Sequence, residues 1–155
     1  RGLTVTGDGA AQPANYIVKF GTLASEIIPD EGGLKPGTKK VLLGGPMMGN
    51  AIDRLDAPVI KNTVGLLGFT EEQQVEDCDE NACIRCGRCV DVCPGRVMPN
   101  KLATLAEHGD TEAFLKNDGM ECCECGCCSY ICPAKRPLTQ QIKSMRKIQL
   151  GKKKK

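Results

Sequence analysis

The chain contains two blocks of four cysteines with one shared spacing, C-x2-C-x2-C-x3-C, and a proline directly follows each block. The first block and its proline span residues 83–94, and the second span residues 122–133. This spacing is the bacterial signature of ligands to a [4Fe–4S] cluster. Its occurrence twice in 155 residues predicts a domain built around two clusters. The block cysteines are Cys83, Cys86, Cys89, Cys93, Cys122, Cys125, Cys128 and Cys132.

The fourth cysteine of each block is predicted to bind the cluster of the other block. The C-x2-C-x2-C part lets three sulfurs converge on three irons. The fourth cysteine lies three residues further along, and in two-cluster ferredoxins it ligates the other cluster. We therefore predict that cluster I is held by Cys83, Cys86, Cys89 and Cys132. Cluster II is predicted to be held by Cys122, Cys125, Cys128 and Cys93.

Zinc is the alternative occupant, because C-x2-C pairs commonly mark a structural zinc site. A zinc ion needs four ligands in total. Each block alone supplies four cysteines, at a tighter spacing than zinc sites use, and the block occurs twice. Iron–sulfur clusters are therefore favoured over zinc. A disulfide framework is disfavoured, since eleven is an odd number and four of the cysteines form directly adjacent pairs. Thiols kept reduced for metal indicate a reducing compartment. Three cysteines are expected not to be ligands: Cys78, Cys123 and Cys127.

Residues 1–70 predict a small α+β module. Runs at residues 3–6 and 16–20 are β-branched or aromatic and are separated by glycines and a proline, which predicts a hairpin. A short helix capped by Thr22 and ended by Pro29 and Gly32 follows. The remaining strand candidates are residues 39–43, 59–60 and 64–69.

Residues 71–82 are interpreted as an acidic linker, because six acids lie between residues 71 and 80. The alternative is an acidic surface that steers a cationic partner. From Cys83 onward the pattern is helical, which predicts a helical two-cluster domain over residues 83–138.

Two short helices are predicted between the cysteine blocks. Pro99 opens the first, which ends at Gly109. Asp110 caps the second, with Phe114 and Leu115 facing inward.

The last segment, residues 139–155, is predicted to be a basic helix and tail. The helix begins at the end of the preceding domain. Four apolar residues along it, spaced four, three and three apart, predict one buried stripe. Residues 1–133 hold 12 basic and 19 acidic residues, a net charge of −7, whereas the nine charged residues from 134 onward are all basic. A membrane-surface or partner-docking helix is the alternative interpretation. The stripe consists of Leu138, Ile142, Met145 and Ile148.

No catalytic residue is predicted. The sequence gives no argument for a Ser-His-Asp triad around its single histidine, His108, and the glycine-rich run at residues 44–49 lacks the following lysine of a P-loop. No G-x-G-x-x-G opens a helix after a strand, so no dinucleotide site is predicted in this chain. No apolar run approaches the roughly 18 residues of a transmembrane helix.

The motifs resemble those of the C subunit of the Rnf-type ion-translocating electron-transport complex. The resemblance is carried by residues 83–94, by Met98-Pro-Asn-Lys-Leu102 and by the run from Glu124 to Leu138. Thr4-Val-Thr-Gly7, Pro13-Ala-Asn-Tyr16 and Gly44-Gly-Pro-Met-Met-Gly49 resemble the β-grasp (SLBB-type) segment of that family. Together these matches cover nearly the whole chain.

The resemblance implies an electron-transfer subunit of a ferredoxin:NAD⁺ oxidoreductase that couples electron flow to ion transport. FMN and NAD(H) would be bound only by an N-terminal portion that we expect to be missing from this chain. The resemblance also implies a peripheral position on the cytoplasmic face of the membrane. Other subunits of the redox complex are the expected partners, a ferredoxin is a further candidate, and no nucleic acid is expected.

Two other functions remain open at this stage. An iron–sulfur subunit of a cobalamin-reductase-like or heterodisulfide-reductase-like system would share the cysteine blocks, although the run at residues 44–49 favours the Rnf relative. A zinc-stapled scaffold without redox activity is the candidate from another class. A further hypothesis concerns reduction potentials. The potential of cluster I would be higher than that of cluster II, because three arginines lie beside the first block and two glutamates lie beside the second. These residues are Arg85, Arg88 and Arg96, and Glu121 and Glu124.

Overall fold

The computed structural model describes residues 1–28, 33–70 and 79–152. The chain divides into two compact units, Arg1–Asp77 and Cys78–Lys155, and each is described by itself. Within the described ranges, none of the helices has both the length and the apolar character needed to cross a bilayer.

The first unit is built on a five-stranded mixed sheet. Its strands follow the order β2-β1-β5-β3-β4, in which β1 and β5 are parallel and all other neighbours are antiparallel. The elements are β1 (Gly2–Thr6), β2 (Ala14–Ile17), α1 (Ala24–Ile27), β3 (Thr38–Leu43), β4 (Asn50–Ile52) and β5 (Gly65–Thr70).

The core of the first unit lies between this sheet and α1. Alternate residues of β1, Leu3 and Val5, are buried together with Leu66 of β5. Helix α1 closes this core with Ala24 and Ile27. The α+β class predicted for the unit is confirmed.

Most of the elements predicted in this unit are present. The hairpin and the strands near residues 39–43 and 64–69 are confirmed. The strand at residues 59–60 is wrong, because Val59 is a buried core residue outside any strand. The sequence analysis missed β4, since its three residues are too few to show a period.

The helix predicted after Thr22 exists, but its cap is wrong. Leu23 occupies the N-cap position, and its backbone N–H donates to the Glu26 carboxylate at 3.2 Å. The predicted end of this helix, at Pro29 and Gly32, lies outside the described residues.

The turn that contains Gly7, Asp8 and Gly9 is fastened to β5. The Gly9 N–H donates to the carbonyl oxygen of Gly68 at 3.0 Å. The hydroxyl and backbone N–H of Thr70 both donate to the Asp8 carboxylate and lower its pKa. Gly7 has φ +105, and a Cβ added there would overlap the Gly68 carbonyl oxygen. This position therefore requires glycine for conformation and for space.

We predict that Gly7→Ala destabilises the first unit more than Gly21→Ala does. Both glycines have positive φ, but a Cβ on Gly21 meets nothing within 4 Å. Gly21→Ala should therefore show backbone strain alone, about 1–3 kcal/mol, and Gly7→Ala should add the overlap with β5. Amide hydrogen exchange of β5 in the full chain measures both changes. Equal effects in the two variants would contradict the close approach.

In the described part of the second unit, residues 79–152, the regular secondary structure consists of helices joined by loops. Helices α3 and α6 pack against each other and form its centre. The elements are α2 (Arg88–Asp91), α3 (Pro99–Glu107), α4 (Thr111–Lys116), a 3₁₀ helix (Gly119–Glu121), α5 (Cys127–Ile131) and α6 (Leu138–Lys152).

The caps predicted for α3 and α4 are confirmed. Pro99 is the first residue of α3, and Gly109 adopts φ +69 after its end. The Asp110 carboxylate accepts from the Ala113 N–H at 3.0 Å at the start of α4. Phe114 is fully buried as predicted, but Leu115 is exposed, so that part of the prediction is wrong. Consecutive helical residues point about 100° apart, and only Phe114 lies on the core side of this short helix.

The apolar stripe of α6 is confirmed for its first three residues only. Ile148 is 54% exposed, whereas Gln149 is only 6% exposed. A helix with 3.6 residues per turn returns to the face of Leu138 eleven residues later, at position 149. The Gln149 amide donates to the Thr111 hydroxyl at 3.3 Å, which allows a polar side chain to be buried there.

The described end of the predicted linker is attached to the second unit. The Asn81 N–H donates to the carbonyl oxygen of Ala134 at 3.0 Å. Glu80 forms an ion pair with Arg136. Residues 71–78, on which the rest of the linker prediction falls, lie outside the described residues.

Candidate metal centres

The second unit contains two recesses, each lined by four block cysteines. The cysteines of recess I are Cys83, Cys86, Cys89 and Cys132. The block cysteines of recess II are Cys93, Cys122, Cys125 and Cys128.

Each recess thus takes three cysteines from one block and the fourth from the other. This division is the same as the two ligand sets that the spacing predicts, and ligation itself stays a prediction. The ten described cysteines, which exclude Cys78, are all free thiols. Cys123 also lines recess II and is exposed, and Cys127 is partly buried.

The two blocks repeat the same backbone conformation at an offset of 39 residues. Each block bends through left-handed residues and contains a short helix, α2 in the first block and α5 in the second. Glycine adopts this conformation readily, but the other residues do so at a cost of about 1–3 kcal/mol. The equivalent left-handed pairs are Arg85 with Glu124, Gly87 with Gly126, and Arg96 with Lys135.

The donor groups of both recesses suit a soft metal centre. Among the described residues, the linings offer thiols but no carboxylate and no imidazole. Thiolates favour iron–sulfur clusters and zinc over harder cations. Across residues 1–28, 33–70 and 79–152, no group of three or more His, Cys, Asp or Glu is arranged around a single-ion site. A [4Fe–4S] cluster distributes its four thiolate ligands over four irons.

The two recesses differ in their access to solvent. Cys83 and Cys86 of recess I are exposed, and the other two are partly buried. In recess II, Cys128 is buried and the remaining block cysteines are partly buried. Recess I is therefore the more open site.

Burial raises the pKa of three thiols, Cys89, Cys122 and Cys128. For Cys122 the positive charge of Arg146 acts in the opposite direction. The pKa of Cys89 is also raised by its neighbour Cys132 and by Cys128 of the other recess. This last interaction places a cysteine of one recess within electrostatic reach of the other. These thiols are neutral near pH 7 until a metal displaces the proton.

Arg136 is a buried residue of recess I that the sequence analysis did not identify. It lines the recess and pairs with Glu107 and, at 3.3 Å, with Glu80. Burial opposes its charge, but hydrogen bonds to the two carboxylates outweigh that effect and raise its pKa. Aligning the two blocks by their 39-residue offset would have identified the position, since its counterpart in recess II is the apolar Val97.

The hypothesis on cluster potentials counts Glu124 as a negative charge beside cluster II, but Arg146 pairs with this glutamate. The guanidinium of Arg146 also donates to the carbonyl oxygen of Met120 at 3.1 Å. Glu124 is therefore not an isolated negative charge beside recess II. Its distance along the chain from the second block concealed this pairing from the sequence analysis.

Known proteins resemble this chain at the first cysteine block and over much of its length. The 4Fe–4S binding domain model matches residues 79–98, which include the first block. The C subunit of an ion-translocating oxidoreductase complex from Methanosarcina acetivorans is 41% identical over 91% of this chain. The C subunit of a proton-translocating ferredoxin:NAD(+) oxidoreductase complex from Clostridium ljungdahlii is 40% identical over 67% of it. The C subunit of an ion-translocating oxidoreductase complex from Rhodobacter capsulatus is 45% identical over 75% of it.

The chain matches C subunits of ion-translocating oxidoreductase complexes over two thirds or more of its own length. It spans 31% of the length of the Methanosarcina relative and 22% of the other two. The family resemblance expected from the sequence motifs is confirmed. The match to the 4Fe–4S binding domain model, which includes the first cysteine block, indicates that the chain is an iron–sulfur protein.

We predict that the thiols of the metal-free chain react with iodoacetamide in the order of their exposure. The thiolate is the reactive form. Cys83 and Cys86 should therefore be alkylated at pH 7 well before the buried Cys128. Because their pKa values are raised, Cys89, Cys122 and Cys128 should become reactive only above the usual thiol range near pH 8.5. Peptide mass spectrometry measures the order, and urea should abolish the differences. Equal rates in the folded protein would show that these thiols are not shielded.

Proposed function

We propose that this chain is the iron–sulfur relay of a membrane-bound ferredoxin:NAD⁺ oxidoreductase ion pump. In this role it passes electrons between a flavin and NAD(H) site and the other redox subunits. The observation that carries the proposal is the pair of recesses, each lined by four cysteines drawn from both blocks. The kind of complex is inferred from the names of the relatives, which are C subunits of oxidoreductase complexes.

The ligand assignment within this proposal follows the recesses. When bound, each cluster accepts and releases one electron at a time. The chain's own contribution is to supply four thiolates per cluster, to exclude water from the inner cysteines and to set the local charge. We propose Cys83, Cys86, Cys89 and Cys132 for cluster I. Cys93, Cys122, Cys125 and Cys128 are proposed for cluster II.

The relay is proposed to run through both recesses. The electrostatic interaction between Cys89 and Cys128 supports close placement of the two clusters. The exposure of Cys83 and Cys86 supports recess I as the point of electron exchange with a partner. Cluster II then exchanges electrons with that partner through cluster I.

The first unit is proposed to be a β-grasp-like, SLBB-type module. A mixed five-stranded sheet with a parallel central pair and a helix over one face supports this proposal. We propose the division into this module at residues 1–70, a linker at 71–82, the two-cluster domain at 83–138 and the basic helix and tail at 139–155. The boundary between the compact units, after Asp77, is compatible with a linker in this region.

The remaining parts of the proposal come from the family. FMN and NAD(H) are proposed to bind in a further portion of the full-length protein, since this chain spans less than a third of its relatives. Other subunits of the complex are the proposed partners, with a ferredoxin as a further candidate. The proposed location is peripheral, on the cytoplasmic face of the membrane.

The proposal is tested first by metal analysis. Anaerobically purified protein should contain about eight irons and eight sulfides per chain. Reduction with dithionite should produce an EPR spectrum of two spin-coupled clusters. Zinc without sulfide would reject the electron-transfer function and support the scaffold alternative.

A second prediction tests the exchange of ligands between the blocks. Cys93→Ala and Cys125→Ala should impair the same cluster, although the two residues belong to different blocks. Cys132→Ala should instead impair the cluster that Cys86→Ala impairs. Cys127→Ala is the control, and it should retain both clusters. EPR of the reduced variants, with iron counting, reads out the pairing. If Cys93→Ala matched Cys86→Ala, the proposed ligand sets would be wrong.

A further inference from the structure

Helix α6 places a hydroxyl group against a cysteine of recess II. The Thr139 Oγ1 atom lies 3.2 Å from the Cys128 Sγ atom, and both residues line the recess. Cys128 is the buried cysteine of the set. The first turn of α6 holds Thr139, and the burial of Leu138 and Ile142 on either side fixes this turn in the core.

The direction of the hydrogen bond is determined by a second hydroxyl. The Thr139 backbone N–H donates to the Ser129 Oγ atom at 2.9 Å. The Ser129 hydroxyl in turn donates to Thr139 Oγ1 at 2.9 Å. Ser129 has a single hydroxyl hydrogen, and this bond uses it. The hydrogen of Thr139 therefore remains available for the sulfur, and a metal-bound cysteine, being a thiolate, can only accept it.

We propose that Thr139 is a positioning residue that raises the reduction potential of cluster II through this bond. The inference rests on the proposed function, because it requires Cys128 to be a cluster ligand. The reduced cluster carries one more negative charge, part of which lies on its thiolates. A donor aimed at a thiolate therefore stabilises the reduced state more than the oxidised state, and hydrogen bonds to the sulfurs are among the determinants of cluster potential.

The equivalent position of recess I does not offer the same control. Thirty-nine residues before Thr139 stands Asn100, which also lines its recess. There it is the backbone of Asn100, and not its side chain, that acts on Cys89 and opposes the rise in the pKa of its thiol. A backbone donor is present whatever the side chain, whereas a hydroxyl is present only in threonine or serine. Of these two equivalent positions, the one in recess II is therefore the one where a side chain determines whether the cysteine has a donor.

The test is a redox titration of the full chain with both clusters assembled, followed by EPR. The signal of cluster II is identified as the one that Cys125→Ser alters. Thr139→Val retains the shape of the side chain but removes the donor, and it should shift the potential of cluster II to more negative values while leaving cluster I unchanged. Thr139→Ser restores a hydroxyl and should restore the potential.

Thr111→Val is the matched control. The Thr111 hydroxyl also contacts α6, at Met145 and Gln149, but it is bonded to none of the ten described cysteines. This variant should leave both potentials unchanged. A shift of cluster II in Thr139→Val alone, reversed in Thr139→Ser, supports the proposal.

Unchanged potentials in Thr139→Val, at about eight irons per chain, would overturn the proposal and leave the relay function standing. Equal shifts of both clusters would also overturn it, since a general loosening of the fold would then be the cause. Absence of sulfide in the parent protein would instead reject the relay itself. If Thr139→Val failed to retain cluster II, Ser129→Ala decides, because it removes the bond that directs the Thr139 hydrogen. A smaller negative shift of cluster II in that variant supports the proposal, and no shift overturns it.

Discussion

Neither cysteine block can form a recess alone, and the rest of the second unit depends on this constraint. Each recess needs a cysteine from the other block, so α2 and α5 must approach each other as the chain folds. The packing of α3 against α6 provides the scaffold for this approach, and partly buried cysteines of both recesses pack against the same core. Under the proposed ligand sets, cluster assembly and folding of this unit are one process.

The repeated backbone produces two sites of the same shape, and the side chains outside the repeat make them different. Recess I is open and contains the buried Arg136, whereas recess II is more enclosed, with the apolar Val97 at the equivalent position. A hydroxyl from α6 reaches recess II. Two clusters with identical ligands would therefore experience different solvent access, charge and hydrogen bonding, which are the factors that separate their potentials.

The features that the sequence predicted well are those that depend on neighbouring residues. The start of α3 at Pro99 and the Asp110 cap of α4 are local, because a few bonds along the chain determine them. The errors at Leu115 and Ile148 came from extending an apolar pattern past the point where the helix turns away from the core. Arg136 was missed as a site residue, because its partners are carboxylates 29 and 56 residues away in the sequence. Contacts of that range are properties of the folded chain, and composition does not reveal them.

Acidic and basic residues that are separated along the sequence form ion pairs in the folded second unit. Acidic residues end at Glu124 and the C-terminal segment is basic, which along the sequence resembles a free cationic tail. In the second unit, Arg136 and Arg146 of that segment instead pair with carboxylates beside the two recesses. A charge held in an ion pair acts on a nearby cluster as a dipole, so its influence falls off faster with distance than that of a lone charge. The electrostatics of each site therefore depend on which partners the fold brings together, and the count of arginines or glutamates near a cysteine block is a poor measure of it.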